Sequence, residues 1–207
     1  MELLGGLSVE AFLREYWQKR PLLVRQAIPG YRSPVSPEEL AGLACEDGIE
    51  ARIVRQVDRP RRGLPSRWQV EHGPFDPEHF ATLPESHWTL LVQDVDKQVP
   101  AVGALLDRFR FLPDWRVDDI MVSYAADQGS VGPHVDDYDV FLIQIEGRRR
   151  WRITTTPNPP LAILPDLDLR ILSAFAPDRD WLLEPGDVLY LPPGVPHWGI
   201  AEGDCLT

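Results

Sequence analysis

The sequence of 207 residues has the length of one ordinary domain, and 43% hydrophobic residues with 9% aromatics supply enough apolar surface for a buried core. Its formal net charge of −11 argues against binding to a nucleic-acid phosphate backbone, which needs clustered Lys and Arg, and favours a basic protein partner. The sequence has no run of about eighteen apolar residues and no basic secretory signal, so we expect no membrane span and a cytoplasmic location.

The N-terminal half of the sequence predicts two short helices, a loop and a strand. Apolar residues at helical spacing predict an amphipathic helix from Val9 to Trp17, and Pro21 stops the pattern. The segment from Ser36 to Ala44 opens with serine, proline and two acids, which is typical of a helix N-terminus. The polar, Gly- and Pro-containing segment from Asp58 to Arg67 predicts a loop, and the apolar segment from Trp88 to Val92 predicts a strand.

From Asp119 onward the pattern changes to short alternating strands separated by turns, which indicates a β-barrel or β-sandwich. A strand is predicted from Tyr138 to Ile145, followed by a turn at Glu146–Gly147 and a returning strand. The proline-rich stretch from Thr155 to Asp168 predicts a long loop across a barrel mouth. The sequence stops at Thr207 as though inside a strand, so we expect the protein to continue beyond it.

Three residues have the types and spacing of a metal site. His134 and Asp136 form an H-x-D pair, and residues two apart on a strand point to the same face, so both can converge on one ion. His197 follows the predicted strand VLYLPP on a turn shaped by Pro and Gly. Two imidazoles and one carboxylate make a facial triad that leaves three metal positions open. An isolated H-x-D is common by chance, but the flanking GPH and PGDVLYLPPGVPH segments favour a metal site.

The predicted returning strand alternates Arg149, Trp151 and Ile153 on one face with Arg150 and Arg152 on the other. Because Trp151 and Ile153 have the character of interior residues, we expect Arg149 to point inward. An inward guanidinium is costly unless an anion pairs with it, and the distal carboxylate of 2-oxoglutarate is a suitable partner. The alternatives are an internal acid as the partner or a solvated edge strand.

The other histidines and the cysteines lack such a context. His72, His79 and His87 have no ligand partners at a suitable spacing, so we expect them at the surface or in local hydrogen bonds. Cys45 and Cys205 fit no metal-ligand spacing and are expected to be reduced thiols.

These segments together resemble the JmjC-type branch of the 2-oxoglutarate oxygenases, and more narrowly the bacterial ribosomal oxygenases of the YcfD type. The resemblance implies that His134, Asp136 and His197 bind iron and that Arg149 anchors 2-oxoglutarate. It extends over nearly the whole chain and is carried by the segments FLREYWQKRPLLV, SRWQVEHGPF, WTLLVQDV, LPDWRVDDIMVSY, GPHVDDYDVFLIQIEGRRRWRI and EPGDVLYLPPGVPHWG.

The fold class we expect is mainly β (α+β). Residues 88–207 should form a cupin-like double-stranded β-helix of the JmjC type, and residues 1–87 an N-terminal α/β elaboration packed on the barrel. Members of the family continue beyond the barrel into a helical dimerisation segment and a winged-helix-like domain. The homodimer that the resemblance implies is therefore an expectation for those longer proteins.

The resemblance also implies an activity. Fe(II), 2-oxoglutarate and O2 would be used to hydroxylate an arginine side chain of large-subunit ribosomal protein sixteen, with succinate and carbon dioxide as coproducts. The expected partner is this basic ribosomal protein, without direct contact to nucleic acid or membrane. Two alternatives stay open: a JmjC lysine demethylase, and a non-redox metal-binding cupin, which the inward Arg149 disfavours.

A substrate cleft is predicted from strand parity. In DDIMVSY, Asp119 and Met121 share one face of a predicted strand, and Tyr138 shares the face of His134 and Asp136. If both faces line the barrel mouth, they offer a carboxylate for a guanidinium and flat surfaces for its methylene stem. The alternative is that Asp119 is a turn acid and Met121 ordinary core.

Overall fold

A computed structural model describes residues 2–57, 68–165 and 167–207, so the predicted loop from Asp58 to Arg67 lies outside the described residues. The described part forms ten strands and five short α-helices. The strands are β1 Leu22–Val24, β2 Ala51–Gln56, β3 Trp68–His72, β4 Trp88–Val92, β5 Val122–Ala125, β6 Val140–Ile143, β7 Glu146–Ile153, β8 Arg179–Leu183, β9 Val188–Leu191 and β10 His197–Leu206. The α-helices are α1 Val9–Glu15, α2 Pro37–Leu43, α3 Pro77–Phe80, α4 Val95–Gln98 and α5 Pro100–Gly103, and 3₁₀ turns span Glu2–Leu4, Ala104–Phe109 and Asp114–Arg116.

The strands form two antiparallel sheets that pack face to face. The larger sheet has the order β3-β2-β4-β5-β10-β7-β8, and the smaller has the order β1-β9-β6. Trp151, Ile153 and Leu183 of the larger sheet pack against Leu189 and Leu191 of the smaller one. The interior therefore lies between the sheets, as in the mainly β, cupin-like class that the sequence predicts.

Helix α1 covers the outer face of the smaller sheet. Ser8 caps the helix by accepting a hydrogen bond from the Ala11 N–H. The fully buried Phe12 ring lies 5.1 Å from the Tyr190 ring and 5.9 Å from the Phe141 ring, measured between centroids. The predicted entry helix is thus confirmed, although it ends at Glu15, two residues earlier than expected.

Helix α2 covers the outer face of the larger sheet. Ser36 and Glu39 form a reciprocal capping box, in which each side chain accepts the other residue's backbone N–H. Leu40 is fully buried in one core cluster with Ile53 of β2 and Leu90 of β4. Both the helix predicted near Ser36 and the strand predicted at β4 are confirmed.

The predicted hairpin around Glu146–Gly147 is wrong. Strand β6 pairs with β9 in the smaller sheet, whereas β7 pairs with β10 and β8 in the larger one. Gly147 lies within β7 at φ +63°, where an added Cβ would be 2.0 Å from the Asp204 carbonyl oxygen. The glycine therefore permits a close approach between two strands rather than a turn.

The proline-rich segment between β7 and β8 is the long loop that the sequence predicts, described apart from residue 166. Its backbone reaches the segment before the H-x-D pair, because the Leu172 N–H donates to the Pro133 carbonyl at 2.7 Å. Its Asp168 contacts His72 at 2.8 Å, which connects the loop to the end of β3. Among the described helices, none has the length and hydrophobicity needed to cross a membrane.

Candidate metal centre

His134, Asp136 and His197 come together although they are distant in the sequence. The Oδ2 atom of Asp136 lies 3.4 Å from Nε2 of His197 and 3.9 Å from Nε2 of His134. One ligand atom of each residue lies within 4.8 Å of the others, and the two imidazole centroids are 4.2 Å apart. This spacing allows all three side chains to contact one metal ion.

The backbone segment that brings these residues together is not the regular strand that the sequence predicts. His134 forms only an isolated bridge with His197, through two backbone hydrogen bonds of 2.9 Å, and Asp136 lies in irregular structure. The Asp136 carbonyl accepts the Gly194 N–H at 2.9 Å, which fixes the segment against the turn before β10. At Gly132, φ is +78° and an added Cβ would lie 2.9 Å from Ile171, so glycine is needed there.

Hydrogen bonds select the tautomer of both histidines. Nδ1 of His134 lies 2.9 Å from the Gly132 carbonyl, and Nδ1 of His197 lies 2.9 Å from the Val195 carbonyl. Because a carbonyl oxygen only accepts, each Nδ1 carries the proton and donates it. Both Nε2 lone pairs are therefore available to a metal on the side of Asp136.

The electrostatics favour metal binding at neutral pH. Burial, with a contribution from the charge of His197, lowers the pKa of His134 to about 4. Burial alone would raise the pKa of Asp136, but its hydrogen bond with His197 and the charges of His134 and Arg52 hold that pKa below the usual value. Neutral imidazole and ionised carboxylate are the protonation states that a divalent metal requires.

Arg149 points into the interior and is only 6% exposed. Its Nη1 atom donates to Ser123 Oγ at 3.2 Å, whereas Nε and Nη2 are buried without a partner among the described residues. Arg150, by contrast, points outward to Asp180 and Glu202 at 2.7 and 2.6 Å. The predicted parity of β7 is confirmed, and the proposed anion-binding role of Arg149 stays a prediction.

The strand parity used for the candidate substrate residues is wrong. Strand β5 begins at Val122, so Asp119 and Met121 precede it, and Tyr138 precedes β6. The Oδ2 atom of Asp119 accepts the Asp94 N–H at 2.8 Å, as expected of a loop acid. Their role in binding a substrate stays a prediction that no longer rests on strand alternation.

Tyr138 nevertheless lies near the metal centre. Its side chain is 63% exposed, yet burial of the phenol and the charge of Asp136 raise its pKa, and the charges of Arg52 and Asp119 also act on it. The phenol of Tyr138 is therefore within the electrostatic influence of Asp136, Arg52 and Asp119.

A second group of acids lies beside Asp119. Carboxylate oxygens of Asp94, Asp96 and Asp119 lie within 4.8 Å of one another. Asp96 and Asp119 accept the backbone N–H groups of Ile120 and Asp94, at 2.7 and 2.8 Å, so both stabilise the loop before β5.

The remaining histidines and cysteines behave as the sequence predicts. His72 pairs with Asp168 at 2.8 Å, the Nε2 atom of His79 lies 3.1 Å from Glu71, and His87 hydrogen-bonds to Ser86 at 2.7 Å. Cys45 and Cys205 are both free thiols. Sequence reasoning does not single out Arg52, because apolar-polar alternation at the start of β2 places it on the face opposite the buried Ala51 and Ile53, which is usually the solvent face.

Comparisons with known proteins place these features in a family context. The model of the JmjC domain matches residues 104–207. The chain is 45% identical to the Escherichia coli ribosomal protein uL16 3-hydroxylase and 39% identical to a probable ribosomal oxygenase of Haemophilus influenzae. The alignments cover 100% and 97% of this chain, and 53% and 48% of those proteins.

A solved structure with the same fold holds ligands. The structure of YcfD, a ribosomal oxygenase of Escherichia coli in complex with cobalt and 2-oxoglutarate, is 42% identical and superposes with a TM-score of 0.82. The match covers 97% of this chain and 50% of that one, so the chain spans about half the length of the relatives it matches. Together with the two observed sheets, these matches confirm the predicted cupin-like JmjC fold.

Proposed function

This chain belongs to the JmjC-domain family, and from that premise we propose that it is a metal- and 2-oxoglutarate-dependent oxygenase that hydroxylates a ribosomal protein. The activity named for the Escherichia coli relative and the cobalt and 2-oxoglutarate bound in the YcfD structure support this proposal. In finer terms, the metal is Fe(II), the oxidant is O2 and the substrate is an arginine side chain.

The observation that carries the proposal is the unsatisfied guanidinium of Arg149. Burying a charged group without its partners is costly, and two of its three nitrogens lack one among the described residues. A carboxylate matches the planar fork of a guanidinium. His134, Asp136 and His197 can hold a metal ion, which the 2-oxo acid end of the same ligand would chelate. The residues present therefore fit both a divalent metal and a dicarboxylic cosubstrate.

Each side chain then has a distinct role. His134, Asp136 and His197 would hold the metal, and Arg149 would hold the distal carboxylate of 2-oxoglutarate. When bound, the metal supplies the chemistry that puts one atom of O2 into a substrate C–H bond and the other into succinate, with release of carbon dioxide. Trp151 packs beside Arg149 and keeps that end of the site apolar, with the guanidinium carbon 6.0 Å from the ring centroid.

An arginine substrate fits the charge of the site. The charges of Asp136 and Asp119, together with that of Arg52, act on Tyr138, and the whole chain carries a net charge of −11. We assign Asp119 to the substrate guanidinium, and Met121 and Tyr138 to its methylene stem. A basic ribosomal protein is the partner that this charge would attract.

The test is a reaction of the purified protein with Fe(II), 2-oxoglutarate, O2 and an arginine-containing uL16 peptide. We expect a mass gain of one oxygen on the arginine, with succinate formed in equal amount. His134→Ala should abolish both products, while His72→Ala, outside the metal centre, should leave them unchanged. Loss of a methyl group from a methyl-lysine peptide, without hydroxylation of arginine, would indicate a demethylase instead.

A further inference from the structure

Buried side-chain atoms that lack a hydrogen-bond partner among the described residues fall into two groups. The first group lies on β2, β3 and α3, where Glu71 is 2.7 Å from Arg55 and 3.1 Å from His79, so its members interact with one another. The second group consists of Oγ1 of Thr89, Nε and Nη2 of Arg149, and Nε1 of Trp151. Besides the guanidinium of Arg149, a buried hydroxyl on β4 is therefore without a partner.

The strand register directs Thr89 into the interior between the sheets. Thr89 of β4 lies opposite Ala125 of β5, and Leu91 lies opposite Ser123. Directly opposed residues of antiparallel strands point to the same face. The alternate residue Leu90 packs on the other face, in the core cluster that includes helix α2. Thr89 and Ser123 therefore share the inner face of the larger sheet.

This position brings Thr89 close to the guanidinium of Arg149. Ser123, whose Oγ accepts a hydrogen bond from Nη1 of Arg149 at 3.2 Å, is the diagonal neighbour of Thr89 across the pair of strands. Diagonal neighbours on one face of a sheet are about 7–8 Å apart. Ala125, directly opposite Thr89, carries only a methyl group, so no bulky side chain of β5 separates the hydroxyl from the guanidinium.

The hydroxyl of Thr89 does not stabilise the fold through any contact among the described residues. Thr89 is only 1% exposed, and its Oγ1 atom has no hydrogen-bond partner there. Burial of a hydroxyl without a partner is costly, whereas valine would fill nearly the same volume without that cost. A polar ligand in the interior would give this hydroxyl the partner that it lacks.

The distal carboxylate of 2-oxoglutarate can accept more hydrogen bonds than Arg149 donates. Nε and Nη2 form one edge of the guanidinium and can donate two parallel hydrogen bonds, which leaves a second lone pair on each carboxylate oxygen. We propose that the hydroxyl of Thr89 donates to this carboxylate, so that β4 helps the site select a dicarboxylic 2-oxo acid. Thr89 precedes the JmjC match, which begins at residue 104. This inference rests on the proposed function.

Calorimetric titration of the Co(II)-loaded protein with two acids tests this assignment. The acids are 2-oxoglutarate and 2-oxopentanoate, which has the same chelating end and chain length but no distal carboxylate. We expect Thr89→Val to weaken 2-oxoglutarate by about tenfold, the effect of losing one hydrogen bond to a charged group, and to leave 2-oxopentanoate unchanged. Thr89→Ser, which retains a hydroxyl, should retain most of the affinity for 2-oxoglutarate.

Thr154→Val is the matched control, because Thr154 is also buried but its hydroxyl already donates to the Ala176 carbonyl at 2.9 Å. This control should leave both affinities unchanged. Urea unfolding of the metal-free proteins gives a second readout. Thr89→Val should be at least as stable as wild type, whereas Thr154→Val should be less stable because it loses a hydrogen bond.

Four results would overturn the proposal. Thr89→Val could leave both affinities unchanged, or weaken both acids equally, and Thr89→Ser could lose as much 2-oxoglutarate affinity as Thr89→Val. A metal-free Thr89→Val protein that is less stable than wild type would show that the hydroxyl already has a partner, such as an ordered water. If the wild-type protein binds neither acid, the proposed function itself fails.

Discussion

At the scale of single residues, the burial of Arg149 leads us to expect that it lowers the stability of the fold while it binds 2-oxoglutarate. Its Nε and Nη2 atoms are buried without partners among the described residues, and such groups cost about 1–3 kcal/mol each. Arg149→Met should therefore raise the free energy of unfolding of the metal-free protein by about 1 kcal/mol or more. Ser123, which loses the arginine, keeps the Thr207 carbonyl at 3.4 Å.

The measurement is urea unfolding, first of the metal-free proteins and then of the Co(II)-loaded proteins with and without 2-oxoglutarate. Wild type should be stabilised by 2-oxoglutarate and Arg149→Met should not, because the anion loses its buried partner. Arg150→Met, which breaks only the outward pairs with Asp180 and Glu202, should retain the ligand effect. If both variants retained it, Arg149 would not bind the cosubstrate.

Asp119 has two roles that one substitution can separate. Its carboxylate accepts the Asp94 N–H at 2.8 Å, and in our proposal its charge also binds the substrate guanidinium. Asp119→Asn keeps an acceptor for the backbone but removes the charge. Turnover of an arginine peptide should fall by more than tenfold, because a charge-assisted hydrogen bond is lost, while 2-oxoglutarate affinity stays unchanged. Peptide turnover at the wild-type rate would show that Asp119 only stabilises the loop.

What the sequence could predict at this scale depended on where each residue lies. Arg149 lies in the middle of β7, where alternation with Trp151 fixes its direction. Asp119 and Tyr138 lie before strands, where loop backbone sets the direction and period-two reasoning does not apply. Arg52 was missed because strand alternation at the start of β2 places it on the face that is usually exposed to solvent.

At the scale of secondary-structure elements, Gly147 explains why the Glu-Gly pair predicted a hairpin that the structure does not form. Glycine after glutamate suggested a turn, whereas the structure uses it where β7 passes close to Asp204 of β10. The partner of β6 is β9, which lies much later in the chain. Helix caps at Ser8 and Ser36 were predictable because they involve neighbours in sequence, but strand pairing over such distances is set by the core.

Gly147→Ala tests this account of the close approach. The added Cβ would be 2.0 Å from the Asp204 carbonyl, so the two strands must separate, and we expect a loss of unfolding free energy of about 2 kcal/mol or more. Gly203→Ala is the matched control, since Gly203 also has positive φ (+75°) but no described atom within 4 Å of an added Cβ. It should lose only about 1 kcal/mol. Equal losses in urea unfolding would mean that backbone strain, not the clash, dominates.

At the scale of the whole molecule, the segments before residue 88 are structurally part of both sheets. Strand β2 lies between β3 and β4, and β1 pairs with β9. Helix α1 covers Tyr190 of β9 from outside. The sequence predicted these segments as an elaboration on the barrel, with a boundary at residue 88. That boundary stays a prediction, and sequence patterns alone could not show that β1 to β3 extend the same sheets.

This arrangement predicts that residues 88–207 do not fold by themselves. Without β2, strand β4 would become an edge whose buried Leu90 and Val92 lose their cover from α2, and Tyr190 would lose Phe12. The lost apolar burial is large compared with the few kcal/mol of net stability of a domain. We expect the whole chain to unfold in one cooperative thermal transition, and the fragment 88–207 to show neither such a transition nor Co(II) binding. A fragment with a cooperative transition and near-ultraviolet circular dichroism like that of the whole chain would show that residues 1–87 are a separable addition, and that the metal centre needs only the JmjC strands.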